Sequence, residues 1–343
     1  MTLSRRKFLA VSAASALLSQ ASFNANAPQK VKTIKPPRLR KGDLVSLISP
    51  AFAPYELTYV DIKIESLQAM GLKVQLSQNF YERYGYLAGT DQQRADDVNA
   101  AFADRDVKAV ISHSGGWGCA RILPFLDYET IKQNPKVLLG FSDNTSLLNA
   151  VYAKTGLITM HGPAPRNRVS AEYTRRLLFD GEKMTLRNPV DYKENLAPTA
   201  HRITVIHPGK ASGRLVGGNL SVLSAIAGTP YFPDLKGCIL FLEDVEEQIY
   251  RVDRMLTQLK LAGALDHISG FVFGRCSRCG PGERYGSLTL DELFHDHIRP
   301  LGIPAFHGFM VGHIKNQFTL PIGVEMEMDA EQGTLKMKES AVI

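Results

Sequence analysis

Cysteine is scarce in this 343-residue sequence, and what is missing around it limits the chemistry. Of four cysteines only Cys276 and Cys279 lie close together. A zinc site would need two further ligands at suitable spacing, and no second close pair exists. The flanking residues are typical of a strand running into a loop, so we interpret the pair as structural or incidental, a strained disulfide included, over a redox motif. We expect no metal and no cofactor.

Acidic residues are absent before Asp43, and this absence marks the amino terminus as a separate segment. Arg5 and Arg6 precede an apolar stretch, residues 9–18, that is too short to span a bilayer, and the small residues 25–27 follow. A chance arginine pair is the alternative, which the combination of features disfavours. We predict a twin-arginine signal peptide over residues 1–27 and a periplasmic protein. Pro28 leaves the cleavage point open.

The remaining positive charge lies mostly next to this signal. Removing Arg5, Arg6 and Lys7 lowers the net charge from +6 to +3, because no acid is lost with them. We predict an exposed basic leader arm over residues 28–41, with Lys30, Lys32, Lys35, Arg38, Arg40 and Lys41. The body without it is about neutral to slightly acidic, so no charge pattern favours nucleic acid. Long apolar runs are also lacking after the signal, and we expect no integral membrane association.

Short apolar runs alternate with amphipathic segments from Gly42 onward, which is typical of a parallel sheet flanked by helices. We predict an α/β amino-terminal domain over residues 42–179, a linker over 180–203 where the alternation stops, and a carboxy-terminal domain over 204–343. The predicted strands are 44–48, 74–76, 109–112, 137–139, 239–242 and 270–273, and the predicted helices are 91–103, 145–154 and 250–261.

Ser142 stands where an apolar strand runs directly into a helix. A sharp turn there would project the hydroxyl at the carboxyl end of the sheet, as in a nucleophile elbow. The pattern is G-x-S-D-N instead of G-x-S-x-G, which disfavours an ordinary α/β-hydrolase. A helix N-cap is an equally good interpretation of this stretch alone.

A glycine-rich loop, residues 115–118, follows another predicted strand. It lacks the spacing of dinucleotide-binding and P-loop motifs, so an oxyanion-hole or substrate-cradling loop fits better. A glycine turn with Trp117 packed for stability is the alternative.

A serine nucleophile needs a base, usually a histidine oriented by a carboxylate. His313 lies in a loop-like stretch after a glycine; His161 is its rival, with His113 and His307 behind. Glu243 is the first polar residue after a strongly apolar run and is the candidate carboxylate, with helix capping as the alternative. Asp244, Glu246 and Glu247 are predicted to be solvent-facing or capping.

Eight motifs of the chain resemble, in order, those of the LD-carboxypeptidase family of serine peptidases. They are Lys41-Gly42-Asp43, Gly85-Tyr86-Leu87-Ala88-Gly89-Thr90, Gly115-Gly116-Trp117-Gly118, Gly140-Phe141-Ser142-Asp143, His161-Gly162-Pro163, Gly217-Gly218-Asn219-Leu220, Phe241-Leu242-Glu243-Asp244, and Gly312-His313 with Asn316 and Leu320-Pro321. The similarity extends from Leu39 to about Gly323.

The resemblance implies a Ser-Glu-His triad of Ser142, Glu243 and His313 at the boundary of two domains. It also implies backbone oxyanion donors at Gly116 and Asp143, substrate contacts from Trp117 and Asn219, and a homodimer. The implied fold is a flavodoxin-like amino-terminal domain with a smaller mixed α/β, swivelling β/β/α-like, carboxy-terminal domain.

The implied substrate is the murein tetrapeptide, cut between meso-diaminopimelate and the terminal D-alanine. Trp117 stands where tyrosine is common in the family, and the export signal differs from the cytoplasmic recycling enzymes. Two alternatives stay open. One is a hydrolase of acyl-sulfamoyl adenylates of the microcin C immunity type, and the other is a non-catalytic periplasmic muropeptide-binding protein.

Overall fold

The first sheet is built from the predicted strands of the amino-terminal half. The computed structural model describes residues 32–190, 196–197, 201–282 and 286–343, so the predicted signal peptide lies outside the described residues. The strands of this sheet are β1 (Leu44–Ile48), β2 (Lys73–Leu76), β3 (Val107–Ser112), β4 (Val137–Gly140), β5 (Thr159–His161) and β12 (Leu320–Ile322). Their order is β12-β5-β4-β3-β1-β2, with β1 to β5 parallel and β12 antiparallel to β5. Strands β1 to β5 have the flavodoxin order, which confirms the predicted architecture.

Six helices accompany this sheet. They are α1 (Leu57–Ala69), α2 (Asp91–Ala103), α3 (Cys119–Ile122), α4 (Tyr128–Gln133), α5 (Thr145–Thr155) and α6 (Arg168–Leu178). Helix α2 begins with a capping box, in which Thr90 and Gln93 satisfy each other's backbone N–H groups. Helix α5 ends at Gly156, whose φ of 78° is the left-handed conformation that glycine adopts at little cost. Local sequence therefore sets the start of α2 and the end of α5.

The second sheet is mixed, as predicted. Its strands are β6 (Thr185–Arg187), β7 (Thr204–His207), β8 (Lys210–Asn219), β9 (Ile239–Val245), β10 (Gly270–Ser277), β11 (Ala305–His307), β13 (Glu325–Asp329) and β14 (Thr334–Met337). The order is β6-β14-β13-β8-β9-β10-β11-β7, and β8 to β11 form a parallel centre. Its helices are α7 (Leu220–Ala225), α8 (Ile249–Leu261) and α9 (Leu290–His297).

Two short strands come from unexpected parts of the chain. The predicted linker over 180–203 contributes β6, which pairs with β14, and its residues 191–195 and 198–200 lie outside the described residues. Strand β12 belongs to the carboxy-terminal half but completes the first sheet beside β5. The chain between β11 and β12 therefore passes from one sheet to the other, within one compact unit over Lys32–Ile343.

The basic arm is docked along residues 32–41, which corrects the prediction of an exposed leader. Leu39 is buried, and its N–H donates to the Leu178 carbonyl at 2.8 Å. The Arg38 N–H donates to the carbonyl of Ile343, and Lys35 forms an ion pair with Glu339. Most charged ends of the arm remain exposed while its backbone is held. No described helix is both long and apolar enough to cross a membrane.

Candidate active site

Ser142 has the geometry of a nucleophile elbow. It follows β4 after a single residue and begins a short 3-10 turn, Ser142–Asn144, that leads into α5. Its φ of 63° lies in the left-handed region, which costs a non-glycine residue on the order of 1 kcal/mol or more. Neither the turn nor α5 has a side-chain cap at its start. The helix-cap interpretation of Ser142 is therefore excluded, and its hydroxyl is free to project from the sheet.

Ser142, His313 and Glu243 form a continuous hydrogen-bonded chain. The Oγ of Ser142 is 3.0 Å from Nε2 of His313, and Nδ1 of His313 is 2.8 Å from Oε2 of Glu243. A carboxylate only accepts, so Nδ1 carries the proton and donates it to Glu243. Nε2 then presents its lone pair to the serine hydroxyl. This is the arrangement in which an imidazole removes a proton from a serine.

The chain path explains how residues so far apart in sequence meet. Ser142 follows β4 of the first sheet, and Glu243 lies fully buried on β9 in the second sheet. His313 is in the segment that passes from β11 to β12, between the sheets. The ring of Phe141 packs against the imidazole, with centroids 4.5 Å apart, and holds its plane. The site is therefore assembled where the two sheets meet.

The glycine loop packs directly against the elbow. A Cβ on Gly115 would lie 2.7 Å from the Cβ of Ser142 and 3.1 Å from the backbone N of Asp143, so only glycine permits this approach. Asn144 fastens the two together, because its Nδ2 donates to the carbonyls of Ser114 and Phe141 at 3.0 and 2.9 Å. Gly116 lines the same cavity as Ser142. The predicted donors Gly116 and Asp143 are thus close to the nucleophile, and their oxyanion role stays a prediction.

The side chains of Asp143 and Asp244 are buried and structural. Asp143 accepts the N–H of Cys119 at 2.8 Å, and burial raises the pKa of its carboxyl to about 6. Asp244 is buried and not solvent-facing, and its carboxylate accepts the backbone N–H of Ser221 at 2.9 Å, at the start of α7, a helix that precedes it instead of following it. Burial, with a further contribution from Glu243, raises the pKa of Asp244 to about 7.

Asn219, predicted to contact substrate, is a buried helix cap in this structure. Its Oδ1 accepts the N–H of Val222, its Nδ2 donates to Asp244, and its own N–H donates to Oγ1 of Thr145 on α5. It is absent from the described residues that line the cavity at Ser142. Trp117 is 43% exposed and also lies outside that lining. The sequence could not distinguish these positions from substrate contacts.

The rival histidines have other surroundings. His161 is fully buried between the rings of Phe141 and Phe241, and burial lowers its pKa to about 3. His113 is buried against Phe80, and burial is also the main cause that lowers its pKa to about 4. His307 lies 2.6 Å from Asp291. None of them has a hydrogen bond to Ser142 among the described residues, so geometry selects His313.

A cavity of about 800 Å³ opens over the triad. Its charged side chains are those of Lys63, Arg166, Arg278 and Lys315, and no carboxylate is among the described residues that line it. Sequence reasoning missed these cations because they come from four separate segments. The structure also joins Cys276 and Cys279 in a disulfide, with Arg278 between them. Among the described residues no group of three or more metal-ligating side chains is present.

Family models match both halves of the chain. The LD-carboxypeptidase N-terminal domain matches residues 45–162, and the LD-carboxypeptidase C-terminal domain matches residues 212–328. The first match contains Ser142 and the second contains Glu243 and His313.

Curated relatives and a solved structure agree with these matches. The chain is 38% identical to the "Probable murein peptide carboxypeptidase" of Bacillus subtilis (strain 168), over 88% of this chain and 93% of that protein. It is 31% identical to the murein tetrapeptide carboxypeptidase of Pseudomonas aeruginosa PAO1, over 81% and 91%. The apo structure of the microcin C7 self-immunity protein MccF superposes with a TM-score of 0.80 at 28% identity, covering 90% of this chain and all of that one.

Proposed function

The chain belongs to the LD-carboxypeptidase family, and from this premise we propose that it is a serine L,D-carboxypeptidase that releases terminal D-alanine from murein tetrapeptides. The scissile amide joins meso-diaminopimelate to D-alanine. The observation that carries the proposal is the hydrogen-bonded chain from Ser142 through His313 to Glu243. The names of the relatives in Bacillus subtilis and Pseudomonas aeruginosa support the substrate.

Acylation begins when the Oγ of Ser142 attacks the carbonyl carbon of the diaminopimelate residue. His313 Nε2 takes the hydroxyl proton as the new C–O bond forms, and Glu243 stabilises the resulting imidazolium. In this proposal the backbone N–H groups of Gly116 and Asp143 donate to the negative oxygen of the tetrahedral intermediate. His313 then gives its proton to the amide nitrogen, the C–N bond breaks, and D-alanine leaves.

Deacylation repeats the sequence with water. His313 takes a proton from a water molecule, the water oxygen attacks the ester carbonyl, and the proton passes to the Ser142 oxygen as the ester C–O bond breaks. The products are the tripeptide and the regenerated hydroxyl. The cavity of about 800 Å³ is large enough for a peptide chain end to reach Ser142.

The test is release of D-alanine from purified protein with a diaminopimelate-containing tetrapeptide. Wild type and Ser287→Ala, an exposed serine outside the site, should release it. Ser142→Ala should not. No release by the wild type would overturn the proposal.

The similarity to MccF favours a second candidate, hydrolysis of an acyl-sulfamoyl adenylate. Exposed Trp117, within the glycine loop, would offer a stacking surface for a nucleobase. Cleavage of an aminoacyl-sulfamoyl adenylate without action on tetrapeptide would reverse the ranking. Tetrapeptide binding with no turnover, and no labelling of Ser142 by an active-serine probe, would favour the non-catalytic muropeptide-binding alternative.

Export and dimerisation complete the proposal. We propose that residues 1–27 direct the protein to the periplasm through the twin-arginine pathway, and that it acts there as a homodimer. The double substitution Arg5→Lys and Arg6→Lys should keep the protein in the cytoplasm, and cell fractionation would detect this. Sedimentation of the purified protein as a monomer at micromolar concentration would contradict the dimer.

A further inference from the structure

Two unpaired cations lie side by side in the wall of the catalytic cavity. Lys63 is half-buried on α1, and Arg166 is in the loop between β5 and α6. Both line the cavity that contains Ser142, and burial, together with the neighbouring charge of Arg166, lowers the pKa of Lys63 to about 8. Neither forms an ion pair with an acid among the described residues.

Uncompensated charges of this kind are costly unless something external neutralises them. Lys63 is half-buried and Arg166 is exposed, so the Lys63 ammonium loses hydration beside a like charge, and a protein normally supplies a carboxylate near such a group. Of the other two cations in the cavity lining, Arg278 pairs with Glu246 at 2.7 Å, and Lys315 is exposed, as Arg166 is. Among the described cations that line the cavity, Lys63 is the one that is half-buried, and neither Lys63 nor Arg166 has a carboxylate partner there.

Their place in the cavity relates them to the nucleophile. Lys63 and Arg166 line this cavity together with His113, and the charges of both contribute, after burial, to lowering the pKa of His113. His113 immediately precedes Ser114 and Gly115, and Gly115 is packed against Ser142. The two cations therefore line the same cavity as Ser142 and the glycine-loop residues Gly115 and Gly116.

A carboxypeptidase substrate brings a negative charge close to its own scissile bond. The carboxylate carbon of the last residue is three bonds from the scissile carbonyl carbon, which places it only about 3–4 Å away. Wherever the carbonyl meets Ser142, the terminal carboxylate must lie within the same cavity. It would supply the anion that the wall lacks.

We propose that Lys63 and Arg166 bind the terminal carboxylate of the peptide and thereby make the enzyme a carboxypeptidase instead of an endopeptidase. Arg166 offers a planar fork for two parallel hydrogen bonds, and Lys63 adds a point charge. This assignment rests on the proposed function, since it presumes a peptide substrate with a free carboxyl end.

The experiment compares tetrapeptide with its D-alanine amide, which keeps the scissile bond but removes the charge. Arg166→Gln and Lys63→Met should each lower kcat/KM on the free acid by about 10- to 100-fold, mostly through KM. On the amide, the variants and the wild type should be equally poor. Arg166→Lys should recover part of the loss. Arg168→Gln, two residues away at the start of α6 and outside the cavity lining, is the matched control.

Peptide binding to the inactive Ser142→Ala protein tests the carboxylate site separately from the proposed catalytic function. If wild type releases D-alanine but Arg166→Gln and Lys63→Met behave as wild type, the carboxylate site is overturned and the function stands. If wild type releases none, calorimetry measures the binding of tetrapeptide and of its amide to the Ser142→Ala protein. Tighter binding of the free acid, with the difference lost on adding Arg166→Gln, supports the carboxylate site. Equal binding of both peptides overturns it, as does an equal loss on both.

Discussion

Gly115 and Ser142 are packed so closely that a single added carbon on Gly115 would lie 2.7 Å from the Cβ of the serine. The contact joins the end of β3 to the elbow after β4, which are neighbours in the first sheet. Ser142, the proposed nucleophile, is thus packed against a residue that has no side chain of its own.

Gly115→Ala should therefore reduce catalysis strongly while the protein remains folded. The added methyl would push the loop away from Ser142 and from the N–H of Asp143, and misplacement by about 1 Å can cost on the order of 100-fold in kcat. Steady-state kinetics with tetrapeptide measures the loss. Gly280→Ala is the control, because a Cβ there meets nothing within 4 Å and its φ is not positive. Full activity of Gly115→Ala would contradict the tight contact.

Glu243→Gln should lower kcat by roughly 10³- to 10⁴-fold. An amide at this place can donate to Nδ1 of His313, which would turn the imidazole into the tautomer whose Nε2–H faces Ser142. The serine would then have no acceptor for its proton. Glu246→Gln, at an exposed acid beyond the strand, should retain activity. A Glu243→Gln enzyme within tenfold of wild type would remove Glu243 from the proposed mechanism.

Asn219→Ala should destabilise the fold and leave KM for tetrapeptide near the wild-type value. The substitution removes the α7 cap and the bond to Asp244, which together stabilise by about 1–3 kcal/mol. Denaturant unfolding measures the cost. A rise in KM without loss of stability would instead restore Asn219 to a substrate-binding role.

His161 should make the protein sensitive to acid. Its pKa is lowered from the ordinary value of 6.5 to about 3 in the folded state, so the unfolded chain binds more protons between these values. The free energy of unfolding then falls as pH falls from about 6.5 to 3, by up to about 1.4 kcal/mol per pH unit from this group. Unfolding curves of His161→Phe should show a weaker dependence over this window. His295→Phe, at an exposed histidine, should match the wild type; identical slopes in all three proteins would be inconsistent with a neutral buried His161.

Local patterns were sufficient for the main elements of the fold. Strand β1 and helix α2 have the predicted bounds, and helix α5 extends one residue beyond its prediction. Their signals are short-range: apolar runs, a capping box at Thr90 and a left-handed glycine at Gly156. Strand β12 escaped prediction because its pairing with β5 joins residues more than 150 positions apart. The docking of the basic arm at Leu39 was also not predicted, because its partners are likewise distant in sequence.

For the site, the sequence by itself determined the candidates and their order: a serine after an apolar strand, an acid at the end of another, and a glycine-bounded histidine within motifs typical of one family. Tertiary structure decided among them. It turned the even choice at Ser142 into a strained elbow, selected His313 over His161, and made Asn219 a cap. It also brought Lys63 and Arg166 together. The reason is physical: a hydrogen bond or an ion pair depends on distance and direction in space, which a one-dimensional pattern carries only between near neighbours.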